Sequence, residues 1–127
     1  MAAIDTLLAE ARSTLVRLDP FAAAAAWRDG ALLVDIRPQA QRRAEGDVPG
    51  SVLIERNVLE WRLDPTSPHC LPELLGPEQP ILILCSEGYA SSLAAATLRR
   101  LGLVNATDVA GGFRAWRRAG LPTAGGL

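Results

Sequence analysis

Lysine is absent from this chain, and all thirteen basic residues are arginine. Set against fourteen acidic residues, they leave a formal net charge of -1 and a pI of about 5.8. No basic surplus exists to neutralise phosphates, which speaks against nucleic acid as a partner. Histidine occurs once, as His69 beside Cys70. A single His next to a single Cys, with no other clustered ligands, falls short of a zinc site, so no metal is expected and His69 reads as a solvated loop residue. Long apolar runs are also missing. No stretch approaches the roughly 18 apolar residues of a membrane span, and the segment from Phe21 to Trp27 stops at Arg28-Asp29-Gly30, as a short helix does. From Met1 to Leu18, charges recur every few positions and interrupt any signal-peptide core. The expectation is a cytoplasmic protein with no membrane partner. Only two cysteines occur, Cys70 and Cys85, and in a reducing cytosol both are expected as thiols. Cys70 lies in the turn-rich stretch 64–72, where an exposed thiol with a resolving role is the lesser reading.

What is present is enough for one compact core. The chain has 127 residues, 49% of them hydrophobic, within the usual size of a single domain. Helical periodicity covers Ile4 to Leu15, where Leu7, Leu8 and Leu15 have a packing partner either in this domain or in a second copy. A second helix follows from Pro20 to Trp27, with Asp19 as N-cap and Pro20 at its first position. Strands are expected at Ala31–Asp35, Val52–Ile54, Ile81–Leu84 and Thr107–Ala110, the first of them continuous in apolar residues, as buried parallel strands are. Helices are expected at Pro38–Glu45, Asn57–Leu63, Leu93–Leu101 and Phe113–Arg118. Strands alternating with helices imply a parallel sheet of four to five strands, covered on both faces. Such sheets bind ligands at the carboxyl ends of their strands. Asp35, Glu55-Arg56 and Cys85 all fall at such ends and should share one crevice.

Cys85 carries the most chemical information. It joins the strand Ile81–Leu84 to Ser86-Glu87-Gly88-Tyr89-Ala90-Ser91-Ser92 and the helix beyond. A strand-to-helix turn presents backbone N–H groups and the positive end of a helix to whatever anion it encloses. A thiol placed there gains thiolate character, and the thiolate is the nucleophile. The alternative is a small apolar residue finishing a buried strand. The local pattern leaves both open.

Four ordered segments bear on that choice. Val34-Asp35-Ile36-Arg37-Pro38, Glu45-Gly46-Asp47-Val48-Pro49-Gly50, Cys85-Ser86-Glu87-Gly88-Tyr89-Ala90-Ser91 and Gly111-Gly112-Phe113-Arg114-Ala115-Trp116 resemble, in the right order, the motifs of the single-domain rhodaneses. The likeness runs from about Asp19 to Pro122. It implies a three-layer rhodanese-like fold over residues 1–127, with 1–18 as an N-terminal helical extension. It also implies sulfur transfer through a persulfide on Cys85, with no cofactor, between a small sulfur donor and a thiol or cyanide acceptor; a protein donor or acceptor is a further possibility. Ser86, Glu87, Gly88, Tyr89, Ala90 and Ser91 would form the substrate loop. Arg56 would meet an anionic donor or else pair with Glu55, Glu60 or Asp64. Asp35 and Arg37 are expected to be structural supports, Trp116 core, and Trp61 either pocket wall or core. The chain departs from the family pattern at Asp47, Ser51 and Ala90, where His, Ala and Arg are usual. Without the loop arginine, an anionic donor loses a cationic partner.

Other chemistries fit less well. A Cys-based phosphatase loop would need Arg at position 91, which is Ser, and a thioredoxin-type pair would need Cys at position 88, which is Gly. The remaining alternative is a non-catalytic or partner-fed sulfur-carrier module.

Overall fold

The computed structural model describes residues 2–127; Met1, included in the expected extension, lies outside the described residues. Among the described residues there are six α-helices and four strands, and from the second helix onward helix and strand alternate. Strands β1 (Leu32–Asp35), β2 (Val52–Leu53), β3 (Ile81–Leu84) and β4 (Ala106–Asp108) form one parallel sheet in the order β2-β1-β3-β4. The pairing sets Asp35 against Leu84 and Ile83 against Asp108. One further parallel bridge, Leu18 to Val109, adds a single residue at the β4 edge. The chain winds outward to β2 on one side and to β4 on the other, so the topology reverses between β1 and β3. The crevice for a ligand in such a sheet opens beyond the carboxyl ends at that reversal. Cys85 follows β3 directly and therefore stands in it.

Alternate side chains of the strands feed two cores, as the two-residue period of a strand requires. Leu32, Val34, Ile81 and Ile83 pack with Leu59 and Leu63 of α4 (Leu59–Leu63) and with Ala94, Ala95 and Leu98 of α5 (Ala90–Arg100). Leu33, Leu82 and Leu84 pack on the other face with Ala23 of α2 (Pro20–Arg28) and with Phe113 and Trp116 of α6 (Gly112–Arg118). Trp116 is core, as expected, at 1% exposure. Asp19 caps α2 by accepting the Ala22 N–H at 2.8 Å. The first helix, α1 (Ala3–Ser13), lies against α5, and Leu15 packs on the first core. Leu15 thus finds its partner within the chain. Leu7 nevertheless remains half exposed.

Most element ends differ from expectation by one or two residues, β4 covering Ala106–Asp108 rather than Thr107–Ala110, and two differences bear on the site. The segment expected as one helix from Asn57 opens as a 3-10 turn (Arg56–Val58) before α4. Helix α5 begins at Ala90 rather than Leu93, which places Ser91 and Ser92 inside its first turn. Serine is a weak helix former, so sequence reading leaves it in the preceding loop. Here both hydroxyls are committed to Asp108, at 2.7 and 2.8 Å. That tertiary contact removes their competition with the helical backbone.

Candidate active site

The loop between β3 and α5 curls around the sulfur of Cys85. Sγ accepts the N–H of Gly88 at 3.2 Å and of Ser91 at 3.4 Å. Gly88 belongs to the turn that leads into α5 and Ser91 to the first turn of that helix, so the sulfur sits at the helix's positive end. Cys85 is 7% exposed, at the base of a cleft of about 380 Å³ lined by Ile36, Arg37, Pro38, Gln41, Glu55, Arg56, Asn57, Cys85 and Ala90. Such an arrangement suits a group that must hold negative charge on sulfur while remaining reachable from one side.

Two glycines make the curl possible. Gly88 has φ +87°, and a Cβ on it would stand 2.7 Å from the Gly111 nitrogen. Gly112 has φ +63°, and a Cβ there would stand 2.5 Å from the Cys85 carbonyl oxygen. The loop and the Gly111-Gly112 turn therefore touch backbone to backbone, which only glycine permits in this conformation. Phe113 and Arg114 donate their N–H groups to the carbonyls of Cys85 (2.7 Å) and Ser86 (3.1 Å). The start of α6 thus clamps the start of the loop.

Behind the loop lies a polar network centred on Asp108, which is fully buried. Its carboxylate accepts Ser91 Oγ, Ser92 Oγ and the Arg17 guanidinium, with Arg17 Nε at 2.9 Å. Charge and lone pairs are matched there, as a buried carboxylate requires. Beside the cleft, Arg37 is buried completely and donates to both oxygens of Asp35, to Glu45 Oε1 at 3.1 Å and to the Gly46 carbonyl. Asp35 also accepts the Arg37 backbone N–H. The guanidinium lies over the Phe113 ring, 4.1 Å from its centre. Burial opposes its charge, yet Asp35 and Glu45 outweigh that and hold Arg37 protonated above its ordinary range. Glu45 is the hub that joins this pair to the loop, because it also accepts Ser86 Oγ at 2.7 Å and the Arg114 guanidinium. Burial raises its pKa, but Ser86, Arg37 and Arg114 pull it below the ordinary value.

The expected site residues divide sharply. Arg56 and Ala90 line the cleft with Cys85, whereas the side chains of Ser86, Glu87, Tyr89 and Ser91 do not. Ser86 turns to Glu45 and Gln41. Glu87 pairs with Arg114 at 2.9 Å on the surface, Tyr89 lies under Arg12, and Ser91 faces Asp108. Each finds a partner away from the cleft: carboxylate acceptors for the two serine hydroxyls, and arginines for Glu87 and the Tyr89 ring. Gly88 and Ser91 reach the sulfur through their backbones alone. Arg56 lines the cleft and pairs with Glu60 at 2.8 Å, the ion pair that one of its two readings expects. Asp35 and Arg37 form a buried ion pair beside the cleft. Trp61 is neither core nor wall of this cleft. It is 58% exposed and borders a separate surface groove with Val58 and His69. Cys70 is half-buried rather than exposed, and both cysteines are free thiols. Burial and the nearby Asp64 push the Cys70 thiol up, with Arg62 opposing, so it carries less thiolate than a free cysteine. Sequence reading missed Asp108, Glu45, Arg12 and Arg17 as parts of this site. Each lies far from Cys85 in sequence, and only the sheet order brings them together.

This chain belongs to the rhodanese family: residues 21–119 match the family described as Rhodanese-like domain. It is 30% identical over 104 residues to a thiosulfate sulfurtransferase GlpE of Pseudomonas savastanoi pv. phaseolicola, which covers 80% of this chain and 86% of that protein. A GlpE of Vibrio cholerae is 44% identical over 45 residues, 35% of this chain; the match spans 42% of the Vibrio protein's length. Among solved structures, a Rhodopseudomonas palustris protein of unknown function, described as a possible tyrosine phosphatase, superposes with a TM-score of 0.86 at 33% identity, covering 98% of this chain and 96% of that one. The polysulfide-sulfur transferase homodimer of Wolinella succinogenes shares the fold, with a TM-score of 0.73 at 24% identity, covering 94% of this chain and 85% of that one. The family is thus one of sulfurtransferases.

Proposed function

We propose that this protein moves a sulfane sulfur from a small donor to a thiophilic acceptor through a persulfide on Cys85. The observation that carries the reading is the sulfur at the base of a cleft, accepting two backbone N–H groups at the start of α5. In the first step the Cys85 thiolate attacks the outer sulfur of the donor. A new S–S bond forms at Cys85 as the donor's own S–S bond breaks, and the electron pair of that bond leaves with the remainder of the donor: sulfite from thiosulfate, a thiolate from an organic persulfide. In the second step an acceptor thiolate or cyanide attacks the terminal sulfur, and the electron pair returns to Cys85 as thiolate. Charge and electrons balance in both steps without metal or organic cofactor, and the order of events is ping-pong.

The charges around the cleft bear on the donor. Arg37 is wholly consumed by Asp35 and Glu45, Arg56 is paired with Glu60, and Glu55 stands exposed on the lining. Ala90 contributes no charge where the family commonly carries arginine. A dianion such as thiosulfate meets no uncommitted cation in this lining, so an organic persulfide is the better match for the cleft. Two free thiols fit a reducing compartment such as the cytoplasm. The phosphatase reading has little support, because Ser91 stands where that loop would need arginine and its hydroxyl is turned to Asp108.

Intact-protein mass spectrometry after brief exposure to thiosulfate or glutathione persulfide, then to cyanide, tests the proposal. The parent and Cys70→Ser should gain one sulfur that cyanide removes, and Cys85→Ser should gain none. Absence of any gain in the parent with either donor would overturn direct transfer and favour a partner-fed or purely binding module.

A further inference from the structure

The segment that precedes the family match at residue 21 reaches into the Cys85 loop from behind. Arg12, in the last turn of α1, donates Nη2 to the Gly88 carbonyl at 2.8 Å and Nε to Ser92 Oγ at 3.1 Å. Its guanidinium lies over the Tyr89 ring, 5.5 Å from the centre. Arg17 donates to the same Gly88 carbonyl at 2.9 Å. That one oxygen therefore accepts from two guanidinium groups. Gly88 is also the residue whose N–H points at Sγ. The two arginines differ in one respect: Arg17 is neutralised by Asp108 at 2.9 Å, whereas Arg12 has no carboxylate within ion-pair distance among the described residues.

We infer that Arg12 is a positioning residue for Cys85, holding Gly88 so that its N–H faces the sulfur and lending the loop the positive charge that Ala90 does not supply. The inference rests on the sulfur-transfer reading. A glycine at φ +87° has wide conformational freedom, and pinning its carbonyl fixes the direction of its neighbouring N–H. The Gly88 N–H belongs to the preceding peptide unit, so Arg12 acts on it by fixing the orientation of Gly88 and by placing a positive charge behind the loop. Arg12 acts from the far side of the loop and does not line the cleft. The donor never touches it.

That separation gives the test a direction. With glutathione persulfide as donor, Arg12→Gln should lower the limiting rate of sulfur uptake by about tenfold, the effect of losing one charge-assisted hydrogen bond to the loop, while the half-saturating donor concentration stays at the parent value. Arg12→Lys should restore most of the rate, because it returns the charge and one donor. Alkylation of Cys85 by neutral iodoacetamide at fixed pH, measured at 10 °C, should slow in the same order, and this readout needs no sulfur transfer. A parent that takes up no sulfur would refute the functional reading alone, with alkylation still deciding the role of Arg12. Parent-like rates in Arg12→Gln would overturn the inference. So would equal losses in the Gln and Lys variants, or unfolding of Arg12→Gln at 10 °C, since either makes Arg12 only a latch that holds α1 in place.

Discussion

Gly112→Ala is the substitution whose consequences the geometry specifies most fully. The added Cβ would stand 2.5 Å from the Cys85 carbonyl oxygen, 2.6 Å from the Ser86 carbonyl carbon and 2.7 Å from the Glu87 nitrogen. All three are backbone atoms, so no side chain can swing away. Ordinary contact begins near 3.4 Å, which requires the loop and the start of α6 to separate by about 0.9 Å. A left-handed conformation costs a residue with a Cβ roughly 1–2 kcal/mol, and forcing apart packed backbone adds roughly 1–3 kcal/mol. The sum, roughly 2–5 kcal/mol, should appear in urea unfolding as a lower midpoint with an unchanged slope. Gly120→Ala is the control: its φ is +78° and nothing lies within 4 Å of the new Cβ. It should show the conformational cost alone, roughly 1–2 kcal/mol. Function should diverge further than stability. Separation lengthens the Phe113 and Arg114 hydrogen bonds that clamp the loop and moves the amides away from Sγ, and a displacement near 1 Å can cost about 100-fold in rate. Sulfur uptake by Gly112→Ala should therefore fall by at least about tenfold while Gly120→Ala keeps the parent rate. Equal stability loss in the two variants, or parent-like uptake by Gly112→Ala, would refute the claim that this close approach shapes the sulfur cradle.

Two further expectations follow from the charges. Ala90→Arg places a cation at the exposed rim of the cleft and should lower the Michaelis constant for thiosulfate by about two- to fivefold, the range of an exposed ion pair. The gain should fade with added salt, and no change in steady-state kinetics would remove loop charge as the reason for a weak dianion site. Glu45 has a folded pKa held below the ordinary glutamate value by Ser86, Arg37 and Arg114 against the opposing effect of burial, so its contribution to stability is fully present above that ordinary value and is lost as pH falls through the lower folded value. Urea melts should show a steeper acid limb for the parent than for Glu45→Gln below pH 4.5, and parallel limbs would contradict the depressed value.

The layered fold was legible because its signals are local. Continuous apolar runs such as Ile81–Leu84, the Asp19-Pro20 helix start and glycines such as Gly30, Gly102 and Gly120 just beyond helix ends specify elements without help from distant residues. Cys85 was legible for the same reason, since strand, thiol and helix adjoin in sequence. The direction of the loop side chains was not. Ser86, Glu87 and Ser91 look alike as small or polar loop residues, yet their partners Glu45, Arg114 and Asp108 come from other elements. Trp61 misled for a related reason: α4 buries Leu59 and Leu63 completely, and Trp61, lying between them on the helix, is turned outward by the same periodicity.

The front and back of the loop divide the work of the site. At the front, the cleft holds Cys85, Ala90 and a paired Arg56, and under the proposed function it would govern which donor can enter. At the back, Gly112, Asp108, Arg12 and Arg17 govern where the amides point. Changes at the front should alter donor preference with the rate of transfer preserved, whereas changes at the back should alter the rate with donor preference preserved. This separation explains how Ala90 can replace the family's loop arginine without loss of the cradle itself: the amides of Gly88 and Ser91 are oriented by contacts that Ala90 does not make.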